Sequence, residues 1–178
     1  MATTLTATFD LTGFGSYTNP LNLSTPVDNP RIGSGGFAEI KASITNGTGS
    51  GQCDLWFHDQ RSVAGTSNDN IDLAGSVTNP ITGAAMTFVK IKVLLIKIVT
   101  PTSTYVLRVG PGVTGASNAW IGPWIGTSPY ETVYDTLYKV SLIDGWGTIT
   151  AGSADTLCIY NPGSVAIVYN IWLIGTSA

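Results

Sequence analysis

Apolar and polar residues alternate along much of the chain, and this two-residue period is typical of strands with one buried face. Between residues 4 and 11 the apolar residues alternate with threonines, and the same period returns in residues 37–45 and 105–109. Residues 88–99 are almost continuously apolar and rich in β-branched side chains, which predicts a central strand buried on both faces. The pattern therefore predicts strands along most of the chain.

Glycine, proline and asparagine mark the turns between these strands. The turn sequence Asn161-Pro162-Gly163 separates two apolar segments, 156–160 and 165–174, and predicts that they form a hairpin. Residues 64–70 are polar and are predicted to be a loop before a short strand at 71–73. Residues 12–36 are predicted to be irregular, either an arm on a neighbouring subunit or a loop that wraps its own domain.

Three tyrosines at a spacing of four residues leave the local structure open. Tyr130, Tyr134 and Tyr138 could line one face of a helix or one face of a strand, because four is close to a helical turn and also a multiple of two. We favour a strand, because tyrosine, threonine and valine dominate this segment and are strand formers.

The predicted fold class is all-β, with about nine to eleven short strands and no long helix. This number of strands suits two packed sheets, so we expect a single-domain β-sandwich, jelly-roll-like in its topology. Residues 1–36 are predicted to hold the first strand plus the arm or wrapping loop, and residues 37–178 the sandwich core.

The chain carries few charges, and this limits its partners. Charged residues make up 11% of the sequence and the net charge is −3, whereas an ordinary soluble domain has roughly 25% charged residues. A nucleic-acid partner is not expected, because binding to phosphates needs a clustered basic surface. A surface with so few charges is poorly protected against association. We therefore expect other copies of the chain, or a partner protein, to cover part of it.

Neither a membrane span nor an export signal is expected. The apolar segment 88–99 contains three lysines and is shorter than the roughly 20 residues of a membrane helix. The first residues, MATTLTATFDLTG, lack the basic and apolar regions of a signal peptide. Without export, Cys53 and Cys158 are predicted to be free thiols rather than a disulfide.

Catalytic and metal-binding patterns are weak. His58 is the only histidine, and no G-x-S-x-G elbow accompanies it. The segment Asn68–Asp72 has oxygen ligands at alternating positions, but it lacks the glycine and the terminal glutamate of a calcium loop. We therefore predict that the protein is not an enzyme and needs no cofactor and no metal.

Aromatic residues are the strongest candidates for contacts with a partner, because aromatic side chains dominate interfaces and sugar-stacking platforms. The candidates for interface or ligand contact are Trp120, Trp124, Tyr130, Tyr134 and Trp172. The first two lie near glycine and proline rather than in a long apolar strand. For them the alternative is that they plug the end of the sandwich.

The carboxyl-terminal part of the chain has distinctive strand and turn patterns in residues 154–161 and 168–178, and in residues 70–76 followed by 88–92. In these patterns it resembles small bacteriophage virion proteins. It implies a structural protein of the capsid decoration (cement) type. Such proteins are commonly small β-rich domains that sit as trimers on the outer shell and bind the major capsid protein or another virion protein. It also implies a place in the virion, after assembly in the cytoplasm of the host bacterium.

Two other classes of function remain open at this point. A receptor- or carbohydrate-binding β-sandwich module of a tail fibre or spike would use Trp120, Trp124 and the polar loops, and exposed indole rings would favour it. A hydrolase would need His58 or a pair of carboxylates facing a cleft.

Overall fold

The computed structural model describes the backbone and side chains of residues 44–178 apart from 81, 103 and 127, and the backbone of the strands between residues 7 and 43. The chain divides into two compact units, and residues 6–45 belong to one and residues 46–178 to the other. No helix occurs in the described part of the chain, so that part offers no helix that could cross a membrane.

The amino-terminal unit consists of short antiparallel strand pairs. Strand β1 (Ala7–Leu11) pairs with β6 (Ile40–Asn46). Strand β2 (Gly13–Phe14) pairs with β5 (Arg31–Ile32), and β3 (Tyr17–Thr18) pairs with β4 (Val27–Asp28). The stretch predicted to be irregular therefore contains two short strand pairs.

The larger unit contains nine strands, eight of which form two four-stranded antiparallel sheets. The strands are β7 (Gln52–Cys53), β8 (Leu55–Val63), β9 (Ser67–Asp72), β10 (Lys90–Ile98), β11 (Leu107–Val109), β12 (Glu131–Val133), β13 (Thr136–Val140), β14 (Thr156–Asn161) and β15 (Ile167–Thr176). Sheet I has the order β13-β10-β15-β8, and sheet II has the order β12-β11-β14-β9. The predicted all-β fold class is confirmed.

The strand order follows a nested rule. The first strand of the two sheets, β8, pairs with the last, β15; in the same way β9 pairs with β14, β10 with β13 and β11 with β12. The chain changes sheet at every connection between these strands except the one from β11 to β12. Paired strands are therefore far apart in sequence at one extreme, β8 with β15, and consecutive in chain order at the other, β11 with β12.

The inner faces of both sheets form one hydrophobic core, as in a β-sandwich. Sheet I contributes Leu94, Ile96, Ile171 and Leu173, and sheet II contributes Leu107, Val109, Leu157 and Ile159, all of them fully buried. Strand β10 lies in the middle of sheet I, and most of its side chains are buried. This confirms the central strand predicted from residues 88–99.

Each open edge of the sandwich is closed by an ion pair between the sheets. On one side, Arg61 of β8 donates two hydrogen bonds to Asp69 of β9, 2.7 Å and 2.8 Å long. Tyr169 of β15, which is fully buried, donates a third bond to Asp69 at 2.7 Å. On the other side, Lys139 of β13 pairs with Glu131 of β12. These side chains occupy inner-face positions where the core ends.

The predicted hairpin between the last two segments is wrong. Strand β14 belongs to sheet II and β15 to sheet I, so the turn between them is a corner that crosses the sandwich. Asn161 is fully buried and holds this corner together. Its side-chain amide donates to the carbonyl oxygens of Val63 and Val165, and its side-chain oxygen accepts from the amide of Gly163.

Two other local predictions need adjustment. Residues 67–70, expected in a loop, are part of strand β9, where Asp69 is bound from sheet I. The strand interpretation of residues 130–140 is confirmed, but the segment forms two strands, β12 and β13, in different sheets. Residues 134 and 135 make the crossing between them.

Candidate interaction surfaces

The outer face of sheet I carries large apolar side chains where a solvent-facing sheet would carry polar ones. We call this set the apolar face; its members are Trp56, Val93, Leu95, Tyr138, Val140, Trp172 and Ile174. The strand register arranges them in two neighbouring rows. One row crosses all four strands as Val140, Val93, Ile174 and Trp56, and the other as Tyr138, Leu95, Trp172 and His58.

Several members of the apolar face are exposed. Trp56 is 41% exposed, Tyr138 39% and Val140 42%, and all three lie on the two edge strands of sheet I. Val93 and Ile174, on the central strands, are buried although they are not part of the core between the sheets. The Trp56 ring meets the His58 imidazole edge to face, with the ring centres 6.1 Å apart.

The next row across sheet I is polar and ends the apolar face. It contains Thr136, Lys97, Asn170 and Gln60. Gln60 donates a hydrogen bond to the Asn170 side chain at 3.0 Å, and Lys97 lies 3.4 Å from a carboxylate oxygen of Asp135. The polar row thus ends the apolar face on one side; beyond it, Val99 and Val168 are again apolar and exposed.

Sheet II shows the pattern expected of a solvated face. One outer row crosses its four strands as Thr132, Arg108, Tyr160 and Asn68, all of them polar. Antiparallel sheets that face water on one side alternate apolar residues inward with polar residues outward. This row of sheet II obeys the rule and the two rows of the apolar face do not, so these parts of the two outer faces differ in what they can bind.

A second apolar surface lies on the connection between β11 and β12. Residues 120–126 read Trp120-Ile121-Gly122-Pro123-Trp124-Ile125-Gly126, and we call this segment the WIG loop. The two tryptophans are buried, with 1% and 5% of their surfaces exposed. The two isoleucines point the other way, since Ile121 is 62% exposed and Ile125 95% exposed.

The buried tryptophans fix the backbone of the WIG loop. Trp120 donates its indole N–H to the carbonyl oxygen of Gly147 at 3.1 Å, and its backbone amide donates to Thr156 at 2.9 Å. The two indole rings pack edge to face at 6.1 Å. Gly122 has a φ of +53°, and a Cβ atom there would lie 2.8 Å from the Trp120 ring, so no other residue fits without distortion.

The sequence around the WIG loop carries no charge. Residues 109–130 contain no acidic or basic side chain. The residue just before this segment is Arg108, whose guanidinium lies over the ring of Tyr130 at the segment's end, 5.2 Å from the ring centre. Aliphatic side chains held outward on an anchored, uncharged loop suit insertion into an apolar site.

The five predicted contact residues fall into three environments. Trp172 belongs to the apolar face. Tyr130 and Tyr134 are exposed, at 43% and 61%. Trp120 and Trp124 are core residues, which favours the alternative that they plug the end of the sandwich and removes them as a stacking platform.

The WIG loop buries Trp120 and Trp124, which are among the predicted contact residues, and exposes Ile121 and Ile125, which are not. Ile121 and Ile125 were missed, and the signal that points to them is the repeated Trp-Ile-Gly at a spacing of four residues. In both copies of this repeat the tryptophan is buried and the isoleucine that follows it is exposed.

The segment Asn68–Asp72 is not arranged as a cation site. It lies on strand β9, so Asp69 leaves on the opposite face from Asn68, Asn70 and Asp72. The oxygens of Asp69 accept from Arg61 and Tyr169, and a carboxylate oxygen of Asp72 accepts from the amide of Ala74. Among the residues that the structure describes, no three histidine, cysteine or acidic side chains cluster as metal ligands.

Both cysteines are free and buried. Burial raises the pKa of the Cys53 thiol to about 11, although the charge of Lys92 acts in the opposite direction. Burial also raises the pKa of Cys158. Both thiols are therefore protonated at neutral pH and poorly nucleophilic.

Comparison with known proteins finds no matching family model, no matching curated protein and no matching solved structure.

The two tryptophans of the WIG loop allow a matched test of how the loop is held. In the described part of the chain, the indole N–H of Trp124 is buried without a hydrogen-bond partner, whereas that of Trp120 is bonded. We expect Trp120→Phe to lower the free energy of unfolding by about 1 kcal/mol more than Trp124→Phe, because only the first change removes a hydrogen bond. Urea denaturation of both variants measures the difference, and equal losses would contradict it.

Proposed function

We propose that this protein is a structural component of a bacteriophage particle, a capsid decoration protein that binds the outer shell and stabilises it through contacts between subunits. It assembles in the cytoplasm of the host bacterium, forms homotrimers and binds the major capsid protein. It acts by holding neighbouring shell subunits together and performs no covalent chemistry.

The strand order supports a jelly roll as the architecture of this module. In the nested pairing, the first four strands run as a ribbon against the last four, and the folded ribbon gives two four-stranded sheets. Eight strands in two sheets are the hallmark of jelly rolls, which occur in viral capsid proteins and in lectins. The architecture alone does not choose between these roles.

The observation that carries the proposal is the presence of two exposed apolar surfaces on a small, weakly charged chain. The apolar face of sheet I and the isoleucines of the WIG loop both expose side chains that water solvates poorly. Such surfaces mark interaction sites in soluble proteins. Binding to a partner would cover them, and contacts made by the native state stabilise the assembly by mass action.

The alternative, a carbohydrate-binding module of a tail fibre or spike, keeps one supporting observation. Tyr130 and Tyr134 are exposed, and Arg108 lies over the first of them, so aromatic and polar groups are available to a sugar. The two tryptophans that would serve best as a stacking platform are buried, and we therefore place this alternative second.

Particles with and without the protein test the proposal. We expect particles that lack it to release their nucleic acid at a lower temperature than complete particles, and added protein to restore the higher temperature. A dye that fluoresces on released nucleic acid measures both. Equal release temperatures would contradict the decoration role, while leaving the fold untouched.

A further inference from the structure

The two apolar surfaces differ in shape, and each copy of the chain has one of each. The WIG loop presents two aliphatic side chains on an anchored turn. The apolar face exposes Trp56, Tyr138 and Val140 on the two edge strands of sheet I, whereas Val93 and Ile174 between them are buried. We infer that these surfaces bind each other between copies, with Ile121 and Ile125 of one copy packed on the apolar face of the next. This inference rests on the proposed function only for the idea that copies associate, and it names the contact they use.

The contact has to form between copies. The loop leaves and rejoins sheet II, and its backbone is bonded to the start of β14, whereas the apolar face is the outer side of sheet I. Within one copy, Ile125 is 95% exposed and Trp56 41% exposed, so neither is covered by the other. Only a neighbouring copy brings the two surfaces together.

The chemistry of the two surfaces matches. The loop and its flanks, residues 109–130, are uncharged, and the apolar face presents aromatic and aliphatic side chains. Packing one on the other leaves no charge unpaired, whereas a charged partner would lose solvation of its ions. Aromatic and aliphatic anchors in the centre of a contact contribute most of its binding energy.

A lipid surface fits the loop less well than a second copy does. Loops and helices that insert into membranes place tryptophan at the interface and basic residues near the headgroups. In the WIG loop the tryptophans are buried, and residues 109–138 contain no lysine or arginine. The aliphatic tip is therefore not accompanied by groups that bind lipid headgroups.

A contact between two different surfaces is head-to-tail, and it closes into a ring when the rotation between copies allows. In a ring every copy uses both of its surfaces, so none stays exposed. Three copies in the ring would give the homotrimer of the proposed function.

Variants of the two surfaces, alone and mixed, test the inference. The loop variant is Ile121→Ser with Ile125→Ser, and the face variant is Trp56→Thr with Tyr138→Thr. All four side chains are exposed, so we expect both variants to keep the far-ultraviolet circular dichroism spectrum of the parent protein. Val165→Ser, in the turn at the far end of β14 and 56% exposed, is the matched control.

Light scattering after size exclusion gives the mass of each sample. We expect the parent protein and the control to elute at a multiple of 18.6 kDa, and each variant alone to elute as a monomer, with association weakened on the order of 100-fold. The two variants mixed should form a pair of mass twice 18.6 kDa. In that pair, the loop of the face variant binds the intact apolar face of the loop variant.

Three outcomes would overturn the inference. They are a monomeric parent protein, variants that keep the parent mass, and a mixture in which no pair forms. If the loop variant keeps the parent mass but loses binding to phosphatidylcholine vesicles that the parent protein binds, the loop is a lipid contact instead. A monomeric parent protein would also contradict the homotrimer of the proposed function. None of these outcomes bears on whether the protein raises the release temperature of particles, so failure of this contact and failure of the decoration role are distinguishable.

Discussion

Replacing Asp69 by alanine is expected to lower the free energy of unfolding by about 3 kcal/mol, because the change breaks a largely buried ion pair between the sheets. The Asp69 side chain is 12% exposed and accepts bonds from Arg61 and Tyr169. Arg61 can turn to Asp59 and to water, since its side chain is 31% exposed. The Tyr169 hydroxyl is buried and is left without a partner, which adds to the loss.

The same network predicts how stability depends on pH. Burial acts to raise the pKa of Asp69, but the hydrogen bonds from Arg61 and Tyr169 and the charge of Arg61 together lower it below its ordinary value of 3.8. A carboxyl group whose pKa is lowered in the folded state contributes stability above its unfolded pKa. That contribution is lost as the pH falls through the folded pKa. The difference in free energy of unfolding between the parent protein and Asp69→Asn should therefore have its full size at pH 7 and shrink as the pH falls below 3.8.

Asp59→Ala is the control for the Asp69 prediction. Asp59 also accepts a bond from Arg61, but its side chain is 44% exposed, and exposed ion pairs contribute at most about 1 kcal/mol. Guanidinium denaturation of both alanine variants at pH 7 gives the comparison. If the free energy of unfolding falls by the same small amount in both variants, the Arg61–Asp69–Tyr169 network does not stabilise the packing of the two sheets.

The strands themselves could be predicted from the sequence because alternating burial is a local property. Strands β10, β14 and β15 all lie where the apolar segments of the sequence place them. Their partners could not be predicted, because pairing depends on contacts between distant residues. Leu157 lies opposite Ile71, for example, and the buried side chain of Asn161 turns an expected hairpin into a corner. A turn sequence tells where the chain bends but not which sheet it enters next.

Local composition predicts the wrong secondary structure where tertiary contacts determine it. Residues 67–70, Ser-Asn-Asp-Asn, have low strand propensity, yet they pair with β14 and are held by Arg61 from the other sheet. Propensity in strands depends strongly on neighbours and burial. The sequence contains the ion-pair partners, but it does not show that they meet.

Only part of each candidate surface could be predicted from the sequence. Aromatic residues drew attention to the WIG loop and to Trp172, but side-chain direction in a turn is set by its backbone. The bond from Trp120 to Gly147 and the positive φ of Gly122 turn the rings inward. The apolar face needs four strands in register before its rows exist, and the residues in one row come from segments up to 118 positions apart, as Trp56 and Ile174 show.

Replacing Lys92 by methionine is expected to lower the free energy of unfolding by about 3 kcal/mol as well, for a different reason. Lys92 is 2% exposed, and its ammonium group donates to the carbonyl oxygens of Gly49, Gln52 and Ile143 at 2.6, 2.9 and 3.4 Å. Hydrogen bonds to a charged group contribute about 1.5–3 kcal/mol each. The methionine keeps the apolar stem and spares the cost of burying a charge, which offsets part of the loss.

The location of the loss distinguishes this role from general destabilisation. Lys92 joins two turns, so their amides should exchange with solvent faster in the variant. These amides are Gly51, bonded to Leu142, and Gly145, bonded to Ser141. Lys97→Met is the control, because it removes the same charge from the same strand, where the side chain is 50% exposed, and exposed pairs contribute little. If both methionine variants are equally stable and exchange alike, the buried ammonium group does not hold the two turns. The turns would then depend on their own backbone bonds, which the exchange rates at Gly51 and Gly145 would report directly.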